Sequence, residues 1–169
     1  MKEVAELLNA MRAGGVISDY ALFGAVAQMR YTEPVATLDA DVLIDLPPHA
    51  GLDVLAPICE FCAAKGGPAE GEAVRVGAWP VRFIPAFGGL TGDALAHADA
   101  VDFEGVPLRV VRADYLAVIA LSVGRATDLT RIVALLEAGN VTPEGLGLLA
   151  GRYGLSDAWQ RFKTRFLDA

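Results

Sequence analysis

Thr37-Leu38-Asp39-Ala40-Asp41-Val42-Leu43-Ile44-Asp45-Leu46 decides how this chain is read. Pro47-Pro48 closes the run, as prolines end a strand. Side chains of a strand alternate between two faces. Leu38, Ala40, Val42 and Ile44 therefore share an apolar face, and Thr37, Asp39, Asp41, Leu43 and Asp45 share the other. One face packs against helices and the other carries three acids. Asp39 and Asp41, at i and i+2, stand about 6–7 Å apart at the backbone. Oxygen donors at that spacing suit one hard cation, and Mg²⁺ commonly takes one or two carboxylates plus substrate phosphates. A solvated sheet face accounts for the same acids without any ligand. Asp45 lies about 13 Å along the strand from Asp41, too far to join a shared ion.

Upstream of this strand, Val4, Leu7, Leu8 and Met11 fall at helical spacing over residues 3–13, and Gly14-Gly15 ends that helix. Val16–Phe23 reads as a buried strand running into Gly24, and Ala25–Arg30 as a short helix that Pro34 stops. Gly24 allows close backbone approach, and the helix start after it offers N–H donors to an anion, or else Gly24 is a tight turn only. Downstream, Leu52–Ala64 is helical with Leu52, Leu55, Ile58 and Cys62 inward, and Pro57 either kinks it or marks its start. Glu72–Val76 and Trp79–Ile84 pair around Gly77, and Val101–Glu104 and Val106–Val111 pair around Gly105. Gly88–Ala100 has loop composition with room for one helical turn.

From Arg112 onward the pattern is helical. Asp114–Val123 is apolar on nearly all sides, Thr127–Ala138 is amphipathic through Leu129, Ile132, Leu135 and Leu136, and Thr142-Pro143 is an N-cap and first-turn pair. Ser156 caps a last helix with Trp159, Phe162 and Phe166 inward. Strands joined partly by helices and partly by tight turns predict a small mixed sheet in an α/β fold. We expect an α/β core over residues 1–111 and a helical C-terminal extension packed on it over 112–169.

The chain has 169 residues, with 14 Lys+Arg against 21 Asp+Glu, a net charge of −7 and 54% hydrophobic residues. That hydrophobicity excludes intrinsic disorder. The acidic balance argues against a general nucleic-acid coat, which needs a basic surface. No uncharged run approaches the ~20 apolar residues of a membrane span. Met1-Lys2-Glu3-Val4-Ala5-Glu6 carries acids where a secretory leader needs basic and then apolar residues, so we expect a cytoplasmic protein. A mean hydropathy of +0.41 is high for a monomer of this size and points to apolar surface and a homodimer.

Two stretches carry a family resemblance. Tyr20-Ala21-Leu22-Phe23-Gly24-Ala25-Val26-Ala27, followed by Tyr31-Thr32-Glu33-Pro34-Val35-Ala36-Thr37-Leu38-Asp39-Ala40-Asp41-Val42-Leu43-Ile44, resembles the nucleotidyltransferase superfamily. It looks most like the minimal bacterial branch that includes abortive-infection toxins: a strand, a Gly-Gly or Gly-Ser step, a short helix, a Thr and an Asp-x-Asp strand. Tyr115-Leu116, Gly124-Arg125 and Asp128 are similar to that family's later helices. The resemblance implies Mg²⁺ (or Mn²⁺) on Asp39 and Asp41 as the catalytic pair, and a nucleoside triphosphate as substrate. Gly24, Ala25, Thr37 and Arg125 would contact that nucleotide. The metal would stabilise charge while a nucleoside monophosphate passes to an acceptor, protein or RNA, that the sequence does not name. A toxin role would follow by analogy alone.

The departures from the family bear on catalysis. Where the family places a third carboxylate on a later strand, this chain has Val81-Arg82-Phe83-Ile84. Arginine has no acceptor and stays charged, so it is neither base nor ligand. The family's two lysines correspond to Ala120 and Thr127. If Arg82 points at Asp39 and Asp41, it neutralises them in place of a metal. The chain is then a degraded relative that binds nucleotide or a protein partner. Glu72 and Glu104, expected on strands, are the candidates to restore the missing acid.

The remaining signals are weaker. Cys59-Glu60-Phe61-Cys62 lacks a second ligand pair, and core packing is its favoured reading. His49 reads as a loop histidine near the acids, and His97 receives no role. Arg125 either contacts phosphate or pairs with Asp128 at a helix start. Trp159, Arg161, Phe162, Lys163 and Arg165 read as core plus solvated face, not as a nucleic-acid platform.

Overall fold

The computed structural model of the chain describes residues 1–48, 55–67 and 69–168. They form two compact units, Met1–Ala27 with Ala36–Val111, and Gln28–Val35 with Arg112–Ala169. The first unit holds a seven-stranded mixed sheet. Its strands are β1 (Asp19–Phe23), β2 (Ala40–Asp45), β3 (Ala69–Glu70), β4 (Ala73–Val76), β5 (Trp79–Pro85), β6 (Asp99–Phe103) and β7 (Val106–Val110). They lie in the order β3-β4-β5-β2-β1-β7-β6. β1 and β2 are antiparallel, while β2 runs parallel to β5 and β1 parallel to β7. Both expected hairpins are present. β4–β5 turns at Gly77 (φ 56°), and β6–β7 turns at Glu104 (φ 52°) and Gly105 (φ 82°). Two successive residues at positive φ match the right-handed twist of the flanking strands, which is why a glycine stands there.

Register explains the core. Val42 faces Leu22 and Phe83 across the neighbouring strands, and Ile44 faces Tyr20. Together with Ala40, Val81, Leu108 and Val110 they form one buried sheet face. Helix α1 (Lys2–Ala13) packs against β7 and β1 with Val4, Leu8 and Met11 inward. Asn9 ties it down, donating to the Pro107 carbonyl at 2.7 Å and accepting from the buried Tyr20 hydroxyl at 2.8 Å. Gly14 ends α1 in a right-handed turn, and the left-handed residue is Gly15 (φ 69°).

Several expected elements are adjusted. The first strand begins at Asp19, because the Val16 N–H donates to the Met11 carbonyl at 3.0 Å in the turn after α1. The acidic strand begins at Ala40, so Leu38 escapes the alternation and is 90% exposed. Gly88–Ala100 contains a full helix, α4 (Gly89–Ala96), that buries Ala94 and Leu95; its three glycines at 88, 89 and 92 disguise it as loop. Asp19, opposite Asp45 on the acidic face, is ion-paired to Arg109. The same guanidinium donates to the carbonyls of Leu95 and Ala98, 3.2 and 3.3 Å away. That places α4 on the acidic face and explains why Leu43 is buried there. Helix α3 (Ala56–Ala64) has Pro57 in its first turn, so this proline belongs to a helix start, and Leu55 at the N-cap is exposed. Leu52 and His49 lie outside the described residues. Glu72 and Glu104 sit in turns instead of strands.

The second unit is helical: α5 (Ala113–Val123), α6 (Ala126–Glu137), α7 (Pro143–Arg152) and α8 (Ser156–Phe166). α5 is buried along most of its length and is closed by left-handed Gly124 (φ 73°). Thr142 caps α7 by accepting from the Gly145 amide at 3.1 Å. Ser156 is not a cap; Leu155 occupies that position and Ser156 is the first helical residue. Trp159 and Phe162 are buried and stacked, centroids 5.4 Å apart, whereas Phe166, the last residue of α8, is 37% exposed. Gly147 faces the Trp159 indole, where any Cβ would come within 2.9 Å of Nε1.

Candidate active site: an acid pair closed by arginine

β2 and β5 are parallel neighbours in which Asp41 is paired with Arg82. Residues in register on adjacent strands project to the same side, so the two side chains meet. Arg82 Nε donates to Asp41 Oδ1 at 2.9 Å, and Nη2 lies 2.8 Å from the same oxygen. That Nη2 is also 3.1 Å from Asp39 Oδ2. One guanidinium therefore bridges both carboxylates, and two of its nitrogens are committed to them. Asp39 lies in the bend preceding β2, not in the strand itself. The Thr37 hydroxyl donates to the Asp39 carbonyl at 3.0 Å and holds this bend.

Gly24 opens the short helix α2 (Gly24–Gln28) at φ 66°. Phe23 is the register partner of Asp41, which brings the Asp41 carboxylate beneath the turn. A Cβ on residue 24 would fall 2.6 Å from Asp41 Oδ2. The missing side chain thus makes room for a carboxylate. Ala25 follows, half-buried, in the first turn of α2. Side-chain exposure is 17% for Asp41, 32% for Asp39 and 44% for Arg82, so the cluster is partly open to water.

Among the described residues, no group of three or more His, Cys, Asp or Glu is placed to hold a metal ion. Glu72 and Glu104 therefore do not restore a third acid. Asp39 and Asp41 bring two formal negative charges to this contact and Arg82 one positive.

The other candidate residues have local partners. Arg125 stands at the N-cap of α6 in the second unit, with Nε 2.7 Å from Asp128 Oδ2. Asp128 is buried, accepts from the Arg125 amide at 3.3 Å, and lies 3.6 Å from Arg131. A buried carboxylate is tolerable only with such partners, so this motif closes the helix start. Ala120 is buried within α5 and Thr127 is exposed in the first turn of α6. Cys62 is buried in α3, where desolvation and then neighbouring Cys59 push its thiol up to about 11; Cys59 is exposed. The packing reading holds for Cys62 alone. His97 caps the end of α4, its Nδ1 2.8 Å from the Asp93 carbonyl. The crowding of Gly24 by Asp41 had no sequence signal, since it depends on the register of Phe23 with Asp41.

No protein-family model and no curated protein matches this sequence. Solved structures do. The solution structure of the antibiotic-resistance factor ANT(2'')-Ia aligns over 99% of this chain and 98% of its own, with 13% identity and a TM-score of 0.56. An antigenic nucleotidyltransferase-like protein from Paracoccidioides brasiliensis aligns over 93% and 90%, with 13% identity and a TM-score of 0.56. The crystal structure of ANT(2'')-Ia with adenylyl-2''-tobramycin aligns over 96% and 97%, with 11% identity and a TM-score of 0.51. At these identities the likeness concerns backbone architecture alone: the chain is similar in fold to these nucleotidyltransferase-type structures.

Proposed function

We propose that this chain is a catalytically degraded relative within the nucleotidyltransferase fold, acting as a binding module whose occupant is a protein. The reading rests on Arg82, whose guanidinium lies 2.8 to 3.1 Å from Asp41 and Asp39. The donor set as it stands does not fit Mg²⁺ or Mn²⁺. One oxygen of each carboxylate already faces a fixed cation, and no third ligand accompanies them among the described residues. Arginine supplies one positive charge where a divalent ion supplies two. Without a divalent ion between them, the two carboxylates and the phosphates of a nucleoside triphosphate repel one another. Metal-dependent transfer of a nucleoside monophosphate is therefore the weaker of the two readings, and a protein occupant is favoured over a nucleotide. Among the described residues no helix is long and apolar enough to cross a membrane.

The test is a thermal melt of the full chain with Mg²⁺ or Mn²⁺ and each nucleoside triphosphate, beside Asp39→Ala/Asp41→Ala. A ligand at ~100 times its dissociation constant adds about 2.7 kcal/mol, several degrees at this size. We expect no metal-dependent shift. A shift that needs the metal and disappears in the double variant would overturn the reading and restore the enzyme.

A further inference from the structure

The second unit carries a groove of about 340 Å³ along α8. Leu121, Leu129 and Phe162 line it together with Arg161, Arg165 and Phe166. Arg161 and Arg165 are exposed and stand four residues apart, so both guanidinium groups project from one helix face. The Phe166 ring packs on Phe162, centroids 4.9 Å apart, and the Arg165 guanidinium lies over Phe166 at 5.0 Å. Among the described residues no acid lines the groove and neither arginine makes an ion pair. A chain of net charge −7 thus presents a basic rim around an apolar groove.

We propose that this groove docks an acidic amphipathic segment of a partner protein. A large apolar side chain of that segment seats against Leu129 and Phe166, above the buried Leu121 and Phe162, and flanking carboxylates meet Arg161 and Arg165. The inference rests on the reading of this chain as a protein-interaction module and names the chemistry of the partner. Charge complementarity selects this occupant, because exposed guanidinium pairs recognise carboxylates directionally. A second copy of the chain, also net negative, is the competing occupant, and the oligomeric state tests it. A nucleic-acid strand needs open ring faces for its bases, and here Trp159 and Phe162 are buried while Phe162 and the Arg165 guanidinium pack on Phe166.

The experiment uses the full chain and a fluorescein-labelled peptide with Leu and Phe flanked by Glu, read by fluorescence anisotropy. We expect saturable binding that weakens with added salt and falls more than about tenfold in Arg161→Glu/Arg165→Glu. Arg161→Lys/Arg165→Lys should keep most of it. Circular dichroism checks the reversed variant, and Arg161→Gln/Arg165→Gln replaces it if the reversal does not fold. Absence of binding, binding unchanged by the variants, or equal binding of a peptide with Ser in place of Leu and Phe would overturn the proposal. So would tighter binding of oligouridylate. Sedimentation showing a dimer that the reversal splits would assign the groove to a second copy instead. The metal and nucleotide melt probes residues of the other unit, so failure there leaves this result interpretable.

Discussion

Gly24 and Asp41 compete for one small volume. The turn at residue 24 has φ 66°, and an added methyl would sit 2.6 Å from Asp41 Oδ2. Gly24→Ala should therefore destabilise the chain by roughly 1–3 kcal/mol through left-handed strain and the clash together. In a urea-denaturation cycle with Asp41→Ala, the clash part should be recovered and the strain part should persist. Arg82 is a different case. Its ion pairs are partly exposed, and pairs of that kind contribute about 1 kcal/mol or less each. Arg82→Ala should thus leave folding nearly intact, and Arg82 matters for the charge it brings to the acids. Arg82→Asp puts a third carboxylate beside Asp39 and Asp41. We expect Mn²⁺ to raise the melting temperature of that variant and to leave the unaltered chain unmoved.

Among the elements, β2 shows how far alternation carries. Ala40, Val42 and Ile44 are fully buried, as a period of two requires. Leu38 breaks the pattern because the strand has not begun, and Leu43 breaks it because α4 covers part of the acidic face. The two leucines make a direct comparison. Leu43→Ala should cost about 2–5 kcal/mol in chemical denaturation, while Leu38→Ala should fall within about 0.5 kcal/mol of zero. Equal effects would mean that the strand starts earlier than residue 40. α4 itself shows the limit of composition, since glycines at a helix start look like loop until a sheet face is there to receive Ala94 and Leu95.

For the molecule as a whole, Cys62 predicts a pH dependence. Burial raises its thiol from an ordinary 9.0 to about 11. The unfolded chain therefore loses this proton before the folded chain does. Its contribution is complete below about pH 9 and is lost as pH climbs toward 11, a fall of up to about 3 kcal/mol. Buried Tyr20, also raised by desolvation, acts in the same direction at higher pH. Urea denaturation across that range checks the slope, and Cys62→Ala should flatten its lower part. In the folded chain a thiol reagent should modify Cys59 and spare Cys62.

The division between local and distant information runs through the same residues. Apolar periodicity, the capping pair Thr142-Pro143 and the glycine turns at 77 and 105 are properties of a few consecutive residues, so the mixed sheet and the C-terminal helices were legible in the order of side chains. The pairing of Asp41 with Arg82 was not, because 41 residues separate them and only the parallel register of β2 and β5 brings them to 2.9 Å. Sequence could pose position 82 as the question; the contact that answers it depends on strand pairing. The same holds for Gly24, which reads as a turn or an anion seat until Asp41 is seen to fill its place. It holds equally for Arg161 and Arg165, ordinary surface residues of an amphipathic helix until Leu121 and Leu129 are packed beside them. Local patterns set which faces must be buried, but what meets at a face is decided by chain segments far apart in sequence.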